Sequence, residues 1–194
     1  MAAVDYTEEL LLTLREMIRR DVVPEFPFLT ADDVHVEDPD PRYVERLAEG
    51  DTSAAIAIEI SGDQESPRFV AGEIYAREGD TTANVDLVVR DKRVFDVDVR
   101  VYARKRRWKR LLARRLTRYF DDHPIVPCVV GDTTTGNELW IISVAGKNLS
   151  PEDDMFAYQL SLSVETQELE EVRTLKPTAG VEITLEDYDE GGQP

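Results

Sequence analysis

The segment 93–120 changes its hydrophobic period partway along, and no other feature of the sequence constrains the fold as strongly. Valine alternates with charged residues over 97–101, which is the period-two pattern of a half-buried strand. From residue 108 the apolar residues follow helical spacing instead. They are Trp108, Leu111, Leu112, Tyr119 and Phe120. The segment therefore predicts a strand followed by an amphipathic helix, and we expect the first four of these residues to form the core of that helix.

The other side of the same helix carries only positive charge. Its arginines recur at steps of three and four residues and are Arg104, Arg107, Arg110, Arg114 and Arg118. No carboxylate occurs between Val99 and Phe120, so these like charges repel one another without local compensation. Three partners would offset the repulsion: DNA phosphates, the acidic surface of an identical subunit, or acidic residues of the same chain. We predict that this face is a subunit or partner interface.

The charge of the chain is uneven along its length. The 194 residues include 40 acidic and 23 basic side chains, and the formal net charge is −17. Ten of the 23 basic residues lie between Arg100 and Arg118, so the rest carries 13 positive against 40 negative charges, or −27. This pattern excludes a uniformly basic nucleic-acid-binding protein. Arginine outnumbers lysine by 18 to five, and an acidic, lysine-poor surface predicts a salt-adapted source.

The remaining segments alternate between helical and extended patterns. Thr7–Arg20 predicts a first amphipathic helix. Alternating residues predict strands at 54–60, 68–75, 83–90, 94–103, 138–145 and 156–164. We expect a turn at 61–67 and a tight hairpin turn at Asp91 and Lys92. This order predicts an α+β fold, in which an antiparallel β-sheet carries the N-terminal amphipathic helix and the central basic amphipathic helix packed on it.

The length fits one domain, with two segments of different composition. We expect a single α+β domain over residues 1–175. Within it, the segment 24–51 is acidic and rich in proline, which predicts an extended connector or arm. The segment 176–194 predicts a C-terminal arm and an acidic tail.

The sequence offers little support for an enzyme. It contains none of the short motifs for phosphate binding, acyl transfer or zinc hydrolysis. His35 and His123 are the only histidines and lack metal-ligand spacing, and the single Cys128 excludes an intrachain disulfide. Asp96 and Asp98 share one face of a strand, as paired catalytic carboxylates do, but acidic pairs are also expected on the solvent face of an acidic protein. We predict no catalytic residue, no metal ligand and no cofactor.

The sequence also gives no sign of a membrane segment. No apolar run approaches the length of a membrane span, and acidic residues precede the first apolar run. We expect a protein that is made and kept in a soluble compartment.

Three segments resemble the tail-terminator and tail-completion proteins in the neck of long-tailed viruses. They are YTEELLLTLREMIRR at 6–20, VDVRVYARKRRWKRLLARRLTRYF at 97–120 and NELWIISVAGKNLSPEDDMFAYQLSLSVETQE at 137–168. Proteins of this family share an N-terminal amphipathic helix, antiparallel strands, a central helix against the sheet, and two further strands separated by a polar loop. The resemblance is one of pattern and order of elements.

The resemblance implies a structural virion protein rather than an enzyme. Such proteins are made in the host cytoplasm and form a homo-oligomeric ring, usually of six copies, that ends the tail tube and joins it to the head connector. Its partners would be the tail tube protein and the head–tail connector proteins, with genomic DNA passing through the lumen. Together with the salt signature, the resemblance suggests a salt-loving archaeal host. The alternative is a DNA-binding module that uses the arginine-rich helix 104–118.

Overall fold

The structure is a computed structural model that describes residues 6–36, 53–67, 74–79, 83–130, 133–150 and 155–175. Two α-helices, two short 3-10 helices and seven strands lie in this part of the chain. In chain order they are α1 (Tyr6–Asp21), the 3-10 helices Val23–Glu25 and Ala31–Asp33, β1 (Val34–Val36), β2 (Ala54–Glu65), β3 (Ile74–Gly79), β4 (Ala83–Ala103), α2 (Arg106–Asp122), β5 (Ile125–Val130), β6 (Thr133–Asn148) and β7 (Phe156–Leu175). The predicted mixed α+β class is confirmed.

The strands form one curled and mostly antiparallel sheet. Its order is β1-β2-β4-β7-β6-β5, and β3 pairs with the first part of β4. The β1–β2 pair is parallel, and the other pairs in the described chain are antiparallel. Strand β4 pairs with β7 from Ala83 opposite Leu175 to Ala103 opposite Phe156. The sheet is therefore organised around the β4–β7 pair.

The hairpin turn predicted at Asp91 and Lys92 is wrong, because β4 is one strand of 21 residues. A register shift between Val89 and Asp91 absorbs the break in alternation. The charge of Lys92 is compensated inside the protein instead of by solvent at a turn. Its Nζ lies 2.9 Å from Glu165 Oε1, at an angle outside hydrogen-bond geometry. Ser66 Oγ donates to the other oxygen of the same buried carboxylate at 2.6 Å. A buried ion pair across the sheet thus replaces the expected turn.

Two other boundaries differ from the prediction. Strand β2 continues through Glu65, into the segment 61–67 where a turn was expected, because its last residues still pair with β4. Strand β3 covers Ile74–Gly79 rather than 68–75, and residues 68–73 lie outside the described chain.

Buried apolar side chains from both helices and from six of the described strands belong to one cluster. In β4 they are the alternate residues Phe95, Val97, Val99, Val101 and Ala103. Helix α1 contributes Leu10, Leu14 and Ile18, each with no exposed surface. This alternation in the strands and the helical spacing in α1 follow the periods expected for elements that bury one face.

The core face of α2 differs in part from the predicted one. Leu112 and Tyr119 are buried, and Trp108 is partly buried, with its ring stacked on Phe28 at a centroid distance of 4.7 Å. Leu111 is 43% exposed, so its assignment to the core is wrong. The buried stripe is centred on Leu112 and Leu116, and consecutive helical residues are separated by about 100°, which places Leu111 on the arginine side.

The two predicted arms are described only in part. Residues 24–36 of the predicted connector include the second 3-10 helix and β1, and Leu29 and Val34 are buried in the core cluster. Residues 37–51 of the connector and the whole segment 176–194 lie outside the described residues.

Gly146 of β6 lies where a larger residue does not fit. A Cβ atom at this position would lie 1.7 Å from Tyr158 Oη and 2.6 Å from Tyr158 Cζ. Both distances are far below van der Waals contact, so the ring of Tyr158 has to move before any side chain fits. At Gly62 of β2, by contrast, the nearest atom to such a Cβ is Asp96 Oδ2 at 3.4 Å, an ordinary contact.

We predict that Gly146→Ala lowers the free energy of unfolding by about 1–3 kcal/mol, the usual effect of overpacking. The matched variant Gly62→Ala should change it by no more than about 0.5 kcal/mol, because its methyl group meets no close atom. Urea denaturation followed by circular dichroism measures both values. Equal midpoints for the two variants would contradict the packing of Tyr158 against Gly146.

Candidate functional site: the basic face of helix α2

Helix α2 begins with positive charge where a helix favours negative charge. It starts at Arg106, Lys105 is its N-cap residue without a side-chain cap, and its first turn contains no acidic residue. Helix α1 has the favourable arrangement, with two glutamates in its first turn and two arginines in its last. Each charge of the wrong sign near a helix terminus costs about 0.3–1 kcal/mol at low ionic strength. The N-terminus of α2 is therefore electrostatically unfavourable in the isolated chain.

Contacts on the opposite side of α2 fix its rotation about its own axis. Arg115 donates two hydrogen bonds to the Glu25 carboxylate, from Nε at 2.8 Å and from a terminal nitrogen at 2.7 Å. The Tyr119 hydroxyl donates to Asp21 Oδ2 at 2.5 Å, and the rings of Trp108 and Phe28 are stacked. Arg115 is thus paired with the segment that follows α1, and that pairing turns the arginines on the other side of the helix outward.

The outward side of α2 is basic and exposed. Its cations are Arg106, Arg107, Arg110, Arg114 and Arg118, all exposed. Within the described residues the first four form no ion pair, and Arg118 lies 3.4 Å from Asp122 in an exposed pair that contributes little. Arg104 is exposed as well and precedes the helix, where its backbone N–H donates to Ser53 O at 3.1 Å. We call the residues 106, 107, 110, 114 and 118 the basic face.

A groove of about 1010 Å³ runs between the basic face and the ends of β6 and β7. Its cations are Arg106, Lys109, Arg110, Arg114 and Arg118. Its other walls include Ala113, Thr117, Asn148, Phe156 and Tyr158, with Asp121 and Asp122 at the C-terminal end of the helix. Five cations against two carboxylates leave the groove positively charged, which suits an extended anionic ligand.

Lys109 shows the effect of this charge. Its Nζ donates to Asn148 Oδ1 at 2.7 Å, so the side chain is held at the wall of the groove. Burial lowers the pKa of Lys109, and the neighbouring Arg106 and Arg110 lower it further. The lowered pKa of Lys109 thus reflects chiefly the cost of burying a charged group, with repulsion from the two neighbouring arginines added to it.

The five arginines that the sequence placed on one helix face do not all lie in the groove. Arg110, Arg114 and Arg118 line the groove, whereas Arg104 and Arg107 are exposed outside it. The other groove residues were not among the predicted site residues. Arg106 and Lys109 belong to the same basic run and were available from composition, but nothing in the sequence places Phe156 and Tyr158 beside α2.

The acidic residues considered for catalysis have structural partners. Ser161 Oγ donates to Asp98 Oδ1 at 2.6 Å, and Ser163 Oγ donates to Asp96 Oδ1 at 3.2 Å. In the part of the chain that the structure describes, no three His, Cys, Asp or Glu side chains are grouped to hold a metal ion. Cys128 is buried, and burial raises the pKa of its thiol to about 12. No helix among the described residues is long and apolar enough to span a membrane.

Comparison of the sequence with models of known protein families finds no match, and comparison with curated proteins finds no similar sequence. The basic face and its groove are therefore the features of the molecule that bear on its function.

We predict that Arg107→Glu raises the free energy of unfolding by about 0.5–1 kcal/mol at low ionic strength. The change removes one repulsive charge and places a carboxylate in the first turn of α2, where it favours the helix. Because salt screens this exposed position, the gain should shrink in molar salt. Thermal or urea denaturation at two salt concentrations measures the effect.

Arg115→Glu is the control within the same helix. It breaks the pair with Glu25 and brings two carboxylates together, so it should lower the free energy of unfolding. If both charge reversals destabilise the chain equally, the basic face is compensated within the chain and our account of it fails.

The contact between the two helices predicts a pH dependence. Hydrogen bonds from Arg20 and Tyr119 lower the pKa of Asp21 from 3.8 to about 2, despite an opposing effect of burial. A lowered folded-state pKa stabilises the fold at higher pH, and this contribution is lost as the pH falls from about 4 to about 2. We expect Asp21→Asn to lose less stability than the wild type over this range. The exposed Asp121→Asn should behave like the wild type in the same urea titrations.

Proposed function

We propose that this chain is a non-enzymatic assembly protein of the neck or tail of a tailed virus. Identical copies join into a ring that ends the tail tube and connects it to the head connector. The observation that carries the proposal is the basic face of α2, which is exposed, of one sign and, at Arg106 and Arg107 in the first turn, opposed to the helix dipole. Such a face is unfavourable in a free monomer and becomes favourable against an anionic partner.

An identical copy supplies that partner without any second protein. Outside the segment 100–118 the chain carries 40 negative and 13 positive charges, so most of each copy's charged surface is acidic. Contact between the basic face of one copy and an acidic region of the next joins two different surfaces. A contact of this heterologous kind closes into a ring when the rotation between copies allows it.

The arrangement of the helices fits this role in our proposal. Both helices pack on one face of the sheet, as the resemblance to tail-terminator proteins implies, and the basic face of α2 is turned towards the next copy. Arginine suits this position because its planar group forms two hydrogen bonds with one carboxylate. In molar salt the Debye length is about 3 Å, so direct pairs of this kind persist while long-range attraction does not.

One observation favours a second candidate, a protein that binds single-stranded nucleic acid. Phe156 and Tyr158 lie in the same groove as the cations of α2. Cations that follow a backbone, combined with aromatic rings for base stacking, are the usual composition of such sites. This candidate predicts binding that weakens steeply with added salt, whereas ring assembly through close ion pairs persists in molar salt.

We predict that the wild-type chain has the mass of a ring in molar salt, measured by light scattering after gel filtration. The double variant R110E/R114E should shift the population to monomers, because it reverses two charges of the basic face. The variant R93E/K147E changes the net charge by the same amount at exposed positions outside the face. It should still assemble, because the Arg93–Asp63 pair that it breaks is exposed and contributes little.

A wild-type monomer at every salt concentration would contradict ring assembly. If that monomer also binds labelled single-stranded DNA at moderate salt, and R110E/R114E does not, the nucleic-acid candidate takes its place.

A further inference from the structure

We propose that the groove beside α2 binds the acidic segment 182–190 of a neighbouring copy. This inference rests on the proposed assembly function and names the surface that meets the basic face. The segment reads VEITLEDYDE from residue 181 to residue 190, and it follows the last described strand, β7.

Charge and length match between the groove and this segment. The segment contains four carboxylates within five residues, at Glu186, Asp187, Asp189 and Glu190, with Tyr188 between them. In an extended chain, positions 186 and 190 lie about 13 Å apart. On α2 the groove arginines from 110 to 118 lie about 12 Å apart along the helix axis. The two spans therefore match, and because side chains alternate along an extended chain, Asp187 and Asp189 face the cations when Tyr188 faces the other way.

The apolar part of the groove suits the residue at the centre of the segment. Phe156, Tyr158 and Ala113 line the groove together with the cations and supply the apolar part of its wall. A tyrosine flanked by carboxylates places its ring against that wall while its neighbours contact the arginines. Asp121 and Asp122 close one end of the groove, so an acidic ligand occupies the part between Arg106 and Arg118.

The path of β7 favours a neighbouring copy over the same chain. The strand starts at Phe156 in the groove and ends at Leu175, so its contour is about 60 Å long. Residue 187 follows Leu175 by 12 positions, and an extended chain covers at most about 43 Å over that distance. The segment is too short to run back along its own strand to its own groove. A neighbouring copy has no such restriction.

Two other occupants make different predictions. The segment 151–154, outside the described residues, joins the ends of β6 and β7 and carries three carboxylates of its own. A nucleic acid would use the same cations without any contribution from the acidic segment.

The test uses two full-length variants that each remove one half of the contact. The groove variant is R110E/R114E, and the neutral-segment variant is E186Q/D187N/D189N/E190Q. We expect neither variant alone to form the ring-sized species seen for the wild type. Mixed together, they should form a 1:1 complex, because the intact segment of the first fits the intact groove of the second. Light scattering after gel filtration measures the masses, and a mixture that stays monomeric would overturn the proposal.

A peptide measures binding without requiring a ring. Fluorescence anisotropy of a labelled 176–194 peptide should show binding to the neutral-segment variant. When the substitutions R110E and R114E are also introduced into the neutral-segment variant, its affinity for the peptide should fall by about tenfold or more. A peptide with the same four substitutions is the control. Equal binding of both peptides, or binding of labelled oligo(dT) without binding of the peptide, would overturn the proposal.

The variant E152Q/D153N/D154N tests the loop of the same chain. We expect its native mass to equal that of the wild type. Loss of the ring in this variant, with the neutral-segment variant unaffected, would assign the groove to the loop and overturn our inference. If the neutral-segment variant keeps the ring, the segment is not the contact but assembly stands. If the wild type never assembles yet the peptide binds the groove, the binding inference stands and the ring does not.

Discussion

The antiparallel pairing of β4 with β7 is the constraint on which the rest of the structure depends. It runs from Ala83 opposite Leu175 to Ala103 opposite Phe156, and β2, β3 and β6 pair with the outer sides of these two strands. Because the pairing ends at Ala103 and Phe156, α2 starts beside the start of β7. The groove exists because of this shared end, where cations from the helix and aromatic rings from the strand meet.

The arginines of α2 divide into two roles that their spacing alone does not separate. Arg115 pairs with Glu25 and, with the Tyr119–Asp21 hydrogen bond, links α2 to the end of α1 and the residues that follow it. Arg114 and Arg110 lie about 100° and about 140° around the helix axis from Arg115 and have no ion-pair partner among the described residues. The same residue type is thus structural on one side of the helix and available to a partner on the other.

The charge of α2 is opposite in sign to the charge of the rest of the chain. The cations in the first turn and along one face of α2 destabilise the helix. An anion that binds to them offsets this loss of stability. In the assembly that we propose, the acidic surface of a second copy supplies that anion. The proposal therefore couples assembly to the stability of α2 through one set of arginines.

The sequence by itself determined the α+β class, both helices and the single sign of the basic face, because these depend on local periodicity and composition. It failed at Asp91 and Lys92, where a polar pair resembled a turn. Only the tertiary structure brings the buried Glu165 next to Lys92, where the two side chains form an ion pair. The sequence pattern also assigned Leu111 wrongly to the core. Spacing shows that an apolar stripe exists, but packing decides where the centre of that stripe lies. The groove was beyond the sequence for the same reason, because its two walls are about 40 residues apart and meet only through the pairing of β4 with β7.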